Sequence, residues 1–205
     1  MTPIRGQTRS GAHKVAERLD KWSRGKITPA MVTWFGFAMH LPIAWLIAAE
    51  YNLVAAAFLI FFGLFDVLDG GLARVQGTAS PRGMLLDAST DRMKEVLLYT
   101  GAAYVLLNSP HPKAAVWAVT ACGASICVSY VKAKGEAAMA AGSKKIPHTE
   151  LNRMFGDGLV TFEIRMAILV AGLVFDQLYW SVVVIAVAAA FTAFQRLILI
   201  SRRLA

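Results

Sequence analysis

Two short stretches decide the fold of this chain: DVLDGGLAR at residues 66–74 and GMLLDASTD at residues 83–91. Each carries two aspartates, three residues apart in the first stretch and four in the second, so each pair lies on one face of a helix. An apolar run precedes the first stretch, over residues 53–65. Ionisable groups next to apolar helices of this kind predict a functional site inside a membrane domain.

The composition of the whole chain agrees with a membrane protein. Of its 205 residues, 57% are hydrophobic and 17% are charged, and the mean hydropathy is +0.52, whereas soluble chains carry about 25% charged residues. The formal net charge of +8 is then explained by basic residues that lie against anionic membrane lipids, and we expect no nucleic-acid partner. Cys122 and Cys127 lie in an apolar stretch, which argues against a disulfide framework.

Hydropathy along the chain predicts six membrane-spanning helices. They cover residues 30–50, 53–75, 84–107, 113–135, 158–176 and 178–201. Each is long enough to cross about 30 Å of hydrocarbon at a rise of about 1.5 Å per residue. The sequence therefore predicts an all-α membrane domain over 30–205, preceded by a basic cytoplasmic segment over 1–29.

The distribution of lysine and arginine sets the expected orientation. All of them except Lys113 fall on one side of the six-span topology. The positive-inside rule makes that side the cytoplasm, so we expect a plasma-membrane protein with both termini and the aspartates on the cytoplasmic side. In the N-terminal segment, Val15, Leu19 and Trp22 follow helical spacing, which is typical of an amphipathic helix lying in the membrane interface. A plain basic anchor is the alternative.

The depth of the aspartates favours a metal site. Counted from the loop between the second and third spans, Asp66 lies roughly 13 Å and Asp91 roughly 10 Å along antiparallel helices, so all four carboxylates are expected to converge. Such a cluster is costly in a membrane unless cations neutralise it. Hard divalent ions satisfy this demand, and we expect Mg²⁺ or Mn²⁺, two ions sharing a carboxylate. Gly70 and Gly71 leave space for a ligand beside them.

Two other interpretations of the aspartates stay open at this point. Arg74 and Arg92 are close enough in sequence to form Asp–Arg ion pairs that close the helix ends without any chemistry. Intramembrane carboxylates also mark ion pathways, so a divalent-cation transporter is a second functional class.

The spacing of these residues resembles a known family signature. Asp66-x2-Asp69-Gly70-x2-Ala73-Arg74-x8-Gly83-x3-Asp87-x3-Asp91 matches, at every fixed position, the signature of the CDP-alcohol phosphatidyltransferases. Eight residues are specified over 26 positions, which makes the match specific. The six predicted spans, the N-terminal helix and the Thr28-Pro29-x3-Thr33 sequence before the first span are also similar to that family.

The resemblance implies an enzyme that moves the phosphatidyl group of CDP-diacylglycerol to the hydroxyl of a small polar alcohol and releases CMP. It implies metal ligation by Asp66, Asp69, Asp87 and Asp91. It further implies that Asp91 is the general base. Binding of the nucleotide lipid is implied for Gly70, Ala73, Arg74, Ser80 and Gly83. The resemblance also implies a homodimer embedded among membrane lipids.

Within the family, the chain most resembles the phosphatidylinositol phosphate synthases. Residues 129–137, SYVKAKGEA, are similar to their Ser-Tyr-x-Lys-Ala-x-x-Glu-Ala stretch. The resemblance then implies that Lys132, Arg165 and Arg196 bind the phosphate of a phosphorylated polyol, with inositol phosphate as the expected acceptor. Glycerol 3-phosphate, the acceptor of a phosphatidylglycerophosphate synthase, is the alternative.

One departure and one simpler interpretation bear on the acceptor. Those synthases usually carry a Glu-Arg-Pro-Glu-Arg run on the fifth span, whereas this chain has TFEIR at 161–165 and keeps only the final arginine. Lys132, Lys134 and the two arginines are also compatible with side chains that extend to anionic lipid headgroups without binding an acceptor.

Overall fold

The computed structural model describes residues 3–141 and 160–204, and the described residues are helical apart from short connections. The helices are α1 (Pro3–Ser23), α2 (Pro29–Ala48), α3 (Asn52–Gly63), α4 (Phe65–Val75), α5 (Pro81–Leu107), α6 (Ala115–Ala141), α7 (Phe162–Val174) and α8 (Leu178–Leu204), with one 3-10 turn at Pro112–Ala114. The predicted all-α class is confirmed over these residues. Lys144, Lys145 and Arg153, which the cytoplasmic assignment included, lie outside them, as does the start of the fifth predicted span.

Four stretches have the length and apolar composition of a membrane span, which makes this a membrane protein. They are Pro29–Ala48, Asn52–Val75, Pro112–Met139 and Leu178–Arg202. The other two predicted spans do not meet the same criteria of length and apolar composition. Helix α5 has 27 residues, but its N-terminal half carries the charged residues from Asp87 to Glu95, and these interrupt the apolar run. Helix α7 has 13 described residues. The six-span topology therefore stays a prediction.

The chain forms two compact units, one up to Leu98 and one from Tyr99 onward. In the first unit, α4 packs against α1, α2 and α3. A small core forms where Ala16 of α1, Val32 of α2 and Leu72 of α4 meet, all of them buried. The short side chain of Ala16 allows α1 to approach α4 closely.

The three apolar side chains predicted to share one face of α1 lie in different environments. Leu19 packs against the core of the first unit, whereas Val15 is exposed and Trp22 is 80% exposed. At the end of α1, Gln76 Nε2 donates to Asp20 Oδ1 at 2.7 Å and to the Ile27 carbonyl oxygen at 2.9 Å. Helix α1 is thus held to the protein, and the amphipathic interfacial role of its exposed side chains stays a prediction.

The helix ends in the first unit follow local sequence rules. Thr28 caps α2, because its Oγ1 accepts a hydrogen bond from the Met31 amide at 3.3 Å, and Pro29 fits the first helical position. Gly77 follows α4 with φ of +64°, a backbone conformation that favours glycine. Ser80 Oγ accepts from the Gly83 amide at 3.2 Å at the start of α5.

The second unit is held by close packing of α8 against α6 and α7. Gly172 of α7 lies so close to α8 that an added Cβ would collide with the side chain of Ser181. Tyr99 of α5 and Ser125 of α6 are both buried, with their hydroxyl oxygens 3.3 Å apart. Large apolar side chains remain exposed along the outer faces of the helices, among them Phe191 and Phe194 of α8, as expected for surfaces in contact with lipid.

Candidate active site

The four aspartates of the sequence signature, Asp66, Asp69, Asp87 and Asp91, are here called the aspartate centre. Asp66 and Asp69 lie on α4 and Asp87 and Asp91 on α5. The charge of Asp87 interacts with those of the other three. The structure therefore brings both pairs into one cluster of charge, in the first compact unit.

Asp69 is oriented by a hydroxyl from another helix. The Thr33 hydroxyl lies 2.6 Å from Asp69 Oδ2 and 3.1 Å from the Pro29 carbonyl oxygen. Because a hydroxyl has a single proton, the shorter contact to the carboxylate is the stronger hydrogen bond. Both Thr33 and Asp69 are buried, so this bond fixes one carboxylate of the centre against α2.

Lys94 is a member of this site that the sequence did not predict. Its Nζ donates to Asp66 Oδ1 and, at 3.3 Å, to Asp91 Oδ1, and its side chain is 0% exposed. From the sequence, Lys94 was expected only as a basic residue near the cytoplasmic face. The signal that could have identified it is its spacing, because Lys94 follows Asp91 by three residues and so shares its helical face.

The Asp–Arg ion pairs of the alternative interpretation form only in part. Arg92 divides between Asp91 Oδ2, at 3.8 Å from Nη2, and Glu95 Oε2, at 3.3 Å from Nη1. Arg74 lies beside Gly70 instead, since a Cβ added there would be 3.8 Å from Nη1 of Arg74. Neutralisation inside the centre thus comes mainly from a lysine and not from the two arginines.

The donor set of the centre suits a hard divalent cation. The four carboxylates have two cations in contact with them, Lys94 at Asp66 and Asp91 and Arg92 at Asp91. Negative charge is therefore in excess, and carboxylate oxygens are the ligands that Mg²⁺ and Mn²⁺ prefer. Over residues 3–141 and 160–204, no three ligating side chains are already arranged around one ion position. The carboxylates are therefore gathered without being arranged around an ion position.

The residues predicted to bind the nucleotide lipid flank the centre along the chain. Gly70, Ala73 and Arg74 occupy α4 between Asp69 and its C-terminal end. Ser80 and Gly83 are joined by the hydrogen bond that begins α5, which gives both of them a structural role as well.

The predicted acceptor residues lie in the second compact unit. Arg165 of α7 is 1% exposed and donates from Nη1 to the Val160 carbonyl oxygen at 3.1 Å. Arg196 of α8 is buried and donates to the Val128 carbonyl oxygen at 3.2 Å. The charges of the two arginines interact, so α7 and α8 place two cations near each other.

Lys132 of α6 lies near an acidic partner. Its Nζ is 3.7 Å from Glu136 Oε1, one helical turn away. The charge of Glu136 also acts on Arg196. Lys134 lies over the ring of Tyr130, with 5.8 Å from Nζ to the centroid. Lys132 and Arg196 thus share one carboxylate neighbour, whereas Lys134 is engaged elsewhere.

The fold and the aspartate centre define a membrane protein with four clustered carboxylates, and comparison with known proteins gives its class. The family model for CDP-alcohol phosphatidyltransferase matches residues 26–194. The chain belongs to the CDP-alcohol phosphatidyltransferase family and is a transferase. This membership decides against the divalent-cation transporter.

Individual relatives give a narrower comparison. The phosphatidylinositol phosphate synthase of Corynebacterium glutamicum is 32% identical over 180 residues, which is 85% of this chain and 78% of the relative. The bifunctional IPC transferase and DIPP synthase of Rubrobacter xylanophilus is 32% identical over 146 residues, covering 71% of this chain and 31% of the relative.

Solved structures of one enzyme share the fold. The crystal structure of the Mycobacterium tuberculosis phosphatidylinositol phosphate synthase with CDP-DAG bound has a TM-score of 0.77 at 26% identity and covers 92% of each chain. A structure of the same enzyme with manganese and citrate has a TM-score of 0.77 at 25% identity, covering 93% of this chain and 88% of the other.

Proposed function

We propose that this protein is a phosphatidylinositol phosphate synthase. It transfers the phosphatidyl group of CDP-diacylglycerol to a hydroxyl of inositol phosphate and releases CMP, at the cytoplasmic side of the plasma membrane. The observation that carries the proposal is the aspartate centre, which gathers the carboxylates of the family signature, in a chain 32% identical over 180 residues to a phosphatidylinositol phosphate synthase.

Asp91 is proposed as the general base. The acceptor hydroxyl gives its proton to the Asp91 carboxylate as its oxygen bonds to the phosphorus that carries the diacylglycerol. The bond from that phosphorus to the bridging oxygen of the diphosphate breaks, and CMP leaves with the electron pair. A carboxylate suits this step when it lies within hydrogen-bond reach of the attacking hydroxyl.

Asp66, Asp69, Asp87 and Asp91 are proposed to hold two divalent ions, Mg²⁺ or Mn²⁺. Bound there, the ions would neutralise the diphosphate and stabilise the charge that develops on the leaving group. The manganese complex of the Mycobacterium tuberculosis enzyme supports this choice of ion. Within the protein, Thr33 holds Asp69 in place and Lys94 holds Asp66 and Asp91 together.

The nucleotide lipid is proposed to bind beside the centre. Arg74 suits the diphosphate, because a guanidinium forms paired, charge-assisted hydrogen bonds with phosphate oxygens. Gly70 and Ala73, on the same helix, leave room for the cytidine, and Ser80 and Gly83 complete the site from the start of α5. The CDP-DAG complex of the Mycobacterium tuberculosis enzyme supports this lipid as the donor.

Arg165, Arg196 and Lys132 are proposed to bind the phosphate of the acceptor. Two buried arginines whose charges interact suit the phosphate of an acceptor, because guanidinium groups form charge-assisted hydrogen bonds with phosphate oxygens. Arg196 also has an Nε that is buried and has no hydrogen-bond partner among the residues the structure describes. Glycerol 3-phosphate carries the same phosphate group and is the second candidate acceptor.

The test offers the purified protein CDP-diacylglycerol with inositol phosphate, glycerol 3-phosphate or free inositol and measures CMP release. We expect turnover with inositol phosphate and little with free inositol, because the buried arginines are proposed to bind the phosphate of the acceptor. Arg196→Ala should raise the KM for the acceptor far more than that for the nucleotide lipid. Turnover with glycerol 3-phosphate or free inositol, and none with inositol phosphate, would overturn the assignment.

A homodimer is the proposed assembly, since small residues along the helices allow close contact between transmembrane helices. Light scattering of active detergent-solubilised protein tests it. A particle with the mass of two chains is expected, and full activity in a strictly monomeric particle would refute the dimer.

A further inference from the structure

Lys94 stands apart from the other cations of the first unit. Its ammonium group is enclosed, and its charge acts on all four carboxylates of the aspartate centre. It also connects two helices, because it binds Asp66 of α4 and Asp91 of α5. A lysine whose only role was to interact with anionic lipid headgroups would extend toward the membrane surface. It would not be enclosed between carboxylates.

We propose that Lys94 is an internal counter-cation that competes with divalent ions for Asp66 and Asp91. In the metal-free protein it ties these carboxylates together. When a divalent ion binds, the ammonium group withdraws from at least one of them. Lys94 thereby stabilises the empty centre and weakens its affinity for metal. This inference rests on the metal-binding role proposed above for the aspartates.

The geometry at Asp91 carries the competition. Its Oδ1 faces Lys94 at 3.3 Å and its Oδ2 faces Arg92 at 3.8 Å, so a cationic group already lies near each oxygen. A divalent ion bound to either oxygen would lie a few ångströms from one of these cations. Like charges at that separation repel strongly in a medium of low dielectric constant. Metal binding therefore requires one cation to move.

Of the two cations at Asp91, Lys94 is the one whose contacts compete directly with a bound metal ion. Arg92 retains Glu95 as a partner at 3.3 Å when it leaves Asp91, whereas Lys94 bridges two of the proposed metal ligands. In the absence of metal, removing Lys94 would leave four carboxylates facing one another. Breaking a buried ion pair by removing one partner is strongly destabilising, and a bound divalent ion would supply the missing positive charge.

The test measures Mn²⁺ binding and thermal unfolding on the full-length protein in detergent, without lipid substrate. Free Mn²⁺ is followed by electron paramagnetic resonance, and unfolding is recorded in EDTA and in Mn²⁺. The variants are Lys94→Met, Lys94→Gln and Lys94→Arg. Lys113→Met is the matched control, since it removes one charge at an exposed position far along the chain.

We expect Lys94→Met and Lys94→Gln to bind Mn²⁺ at least about tenfold tighter than the unsubstituted protein. In EDTA their Tm should fall by roughly 5 °C or more, and Mn²⁺ should restore it. Lys94→Arg, which keeps the charge, and Lys113→Met should behave like the unsubstituted protein in both measurements.

Equal or weaker Mn²⁺ binding by both neutral variants would overturn the role of Lys94. If the neutral variants do not fold in EDTA, they are prepared in Mn²⁺: recovery of folded protein supports the proposal, and its loss in both conditions contradicts it. An unsubstituted protein that binds no Mn²⁺ would instead refute the metal centre itself.

Discussion

Asp91 contacts cations through both of its carboxylate oxygens, Lys94 on one side and Arg92 on the other. These contacts fix the plane of the carboxylate on α5, one helical turn from Asp87. The proposed role of Asp91 as general base depends on the position of these oxygens, because the accepting oxygen must lie within hydrogen-bond reach of the attacking hydroxyl.

Asp91→Asn is expected to lower the rate of CMP release by about 10²–10⁴-fold, because the amide cannot accept the proton. Binding of CDP-diacylglycerol should largely persist, since three carboxylates of the centre remain. Turnover and lipid binding are measured on the same preparation. Asp176→Asn is the control, as Asp176 is exposed and has a positive φ that asparagine tolerates. An Asp91→Asn protein with undiminished turnover would show that another group is the base.

Thr33→Val should weaken both Mn²⁺ binding and turnover by about 10–100-fold, the usual effect of removing a group that orients a metal ligand. Valine keeps the shape of threonine but removes the hydroxyl that donates to Asp69 at 2.6 Å. Thr33→Ser restores the hydroxyl and should recover most of both properties. If serine and valine behave alike, the hydrogen bond has no role in metal binding.

The aspartates could be predicted from the sequence because helical periodicity alone places each pair on one face. Lys94 and Thr33 could not be assigned in the same way. The spacing of Lys94 from Asp91 fits an exposed surface pair as well as an enclosed bridge, and only its contact with Asp66, 28 residues away, separates the two. Thr33 meets Asp69 across 36 residues, a contact set by the packing of α2 on α4.

At the scale of the helices, hydropathy identifies the membrane spans that are apolar along their whole length. It does not identify a span in which charged residues interrupt the apolar run. Helix α2, the α3–α4 pair, α6 and α8 satisfy simple criteria of length and apolarity. Helix α5 does not, because its charged N-terminal half contributes half of the aspartate centre. The sequence predicted the helix correctly, while its charges make hydropathy a poor measure of its place in the membrane.

Gly172→Ala should destabilise the α7–α8 hairpin by about 1–3 kcal/mol, the usual cost of overpacking. The new methyl group would collide with Ser181 Cβ and lie 3.3 Å from the Gln177 carbonyl oxygen, and neither atom can move by rotation of a side chain. Thermal unfolding in detergent should show a Tm lower by roughly 3–10 °C.

Gly123→Ala is the matched control for this prediction. Gly123 lies within α6 with open space around it, so alanine should leave the Tm unchanged or raise it slightly. Equal effects of the two substitutions would mean that the contact between α7 and α8 is looser than the structure describes.

For the molecule as a whole, the distribution of positive charge predicts which connections face the cytoplasm. A version without native cysteines, carrying Cys122→Ala and Cys127→Ala, receives one new cysteine at exposed Thr78, after α4, or at exposed His111, after α5. A membrane-impermeant maleimide should label His111→Cys in intact cells. It should label Thr78→Cys only in inverted vesicles, because the loop that follows α4 faces the cytoplasm in the six-span topology.

The reverse labelling pattern would invert the orientation. Labelling of both positions from the same side would mean that α5 does not cross the membrane. The second outcome would also move the aspartate centre from within the membrane to its surface, so this experiment decides how the water-soluble acceptor reaches it.

The bond network that holds α1 has a consequence for the biosynthesis of the protein. Gln76 leaves the ribosome 56 residues after Asp20 and 49 residues after Ile27. At about 5–20 residues per second, the nascent α1 waits roughly 3–10 s for the glutamine that anchors it. The exposed tryptophan and the basic residues of α1 can meet the membrane surface during that interval. Helix α1 is thus docked by a residue that emerges only after α4 has been made.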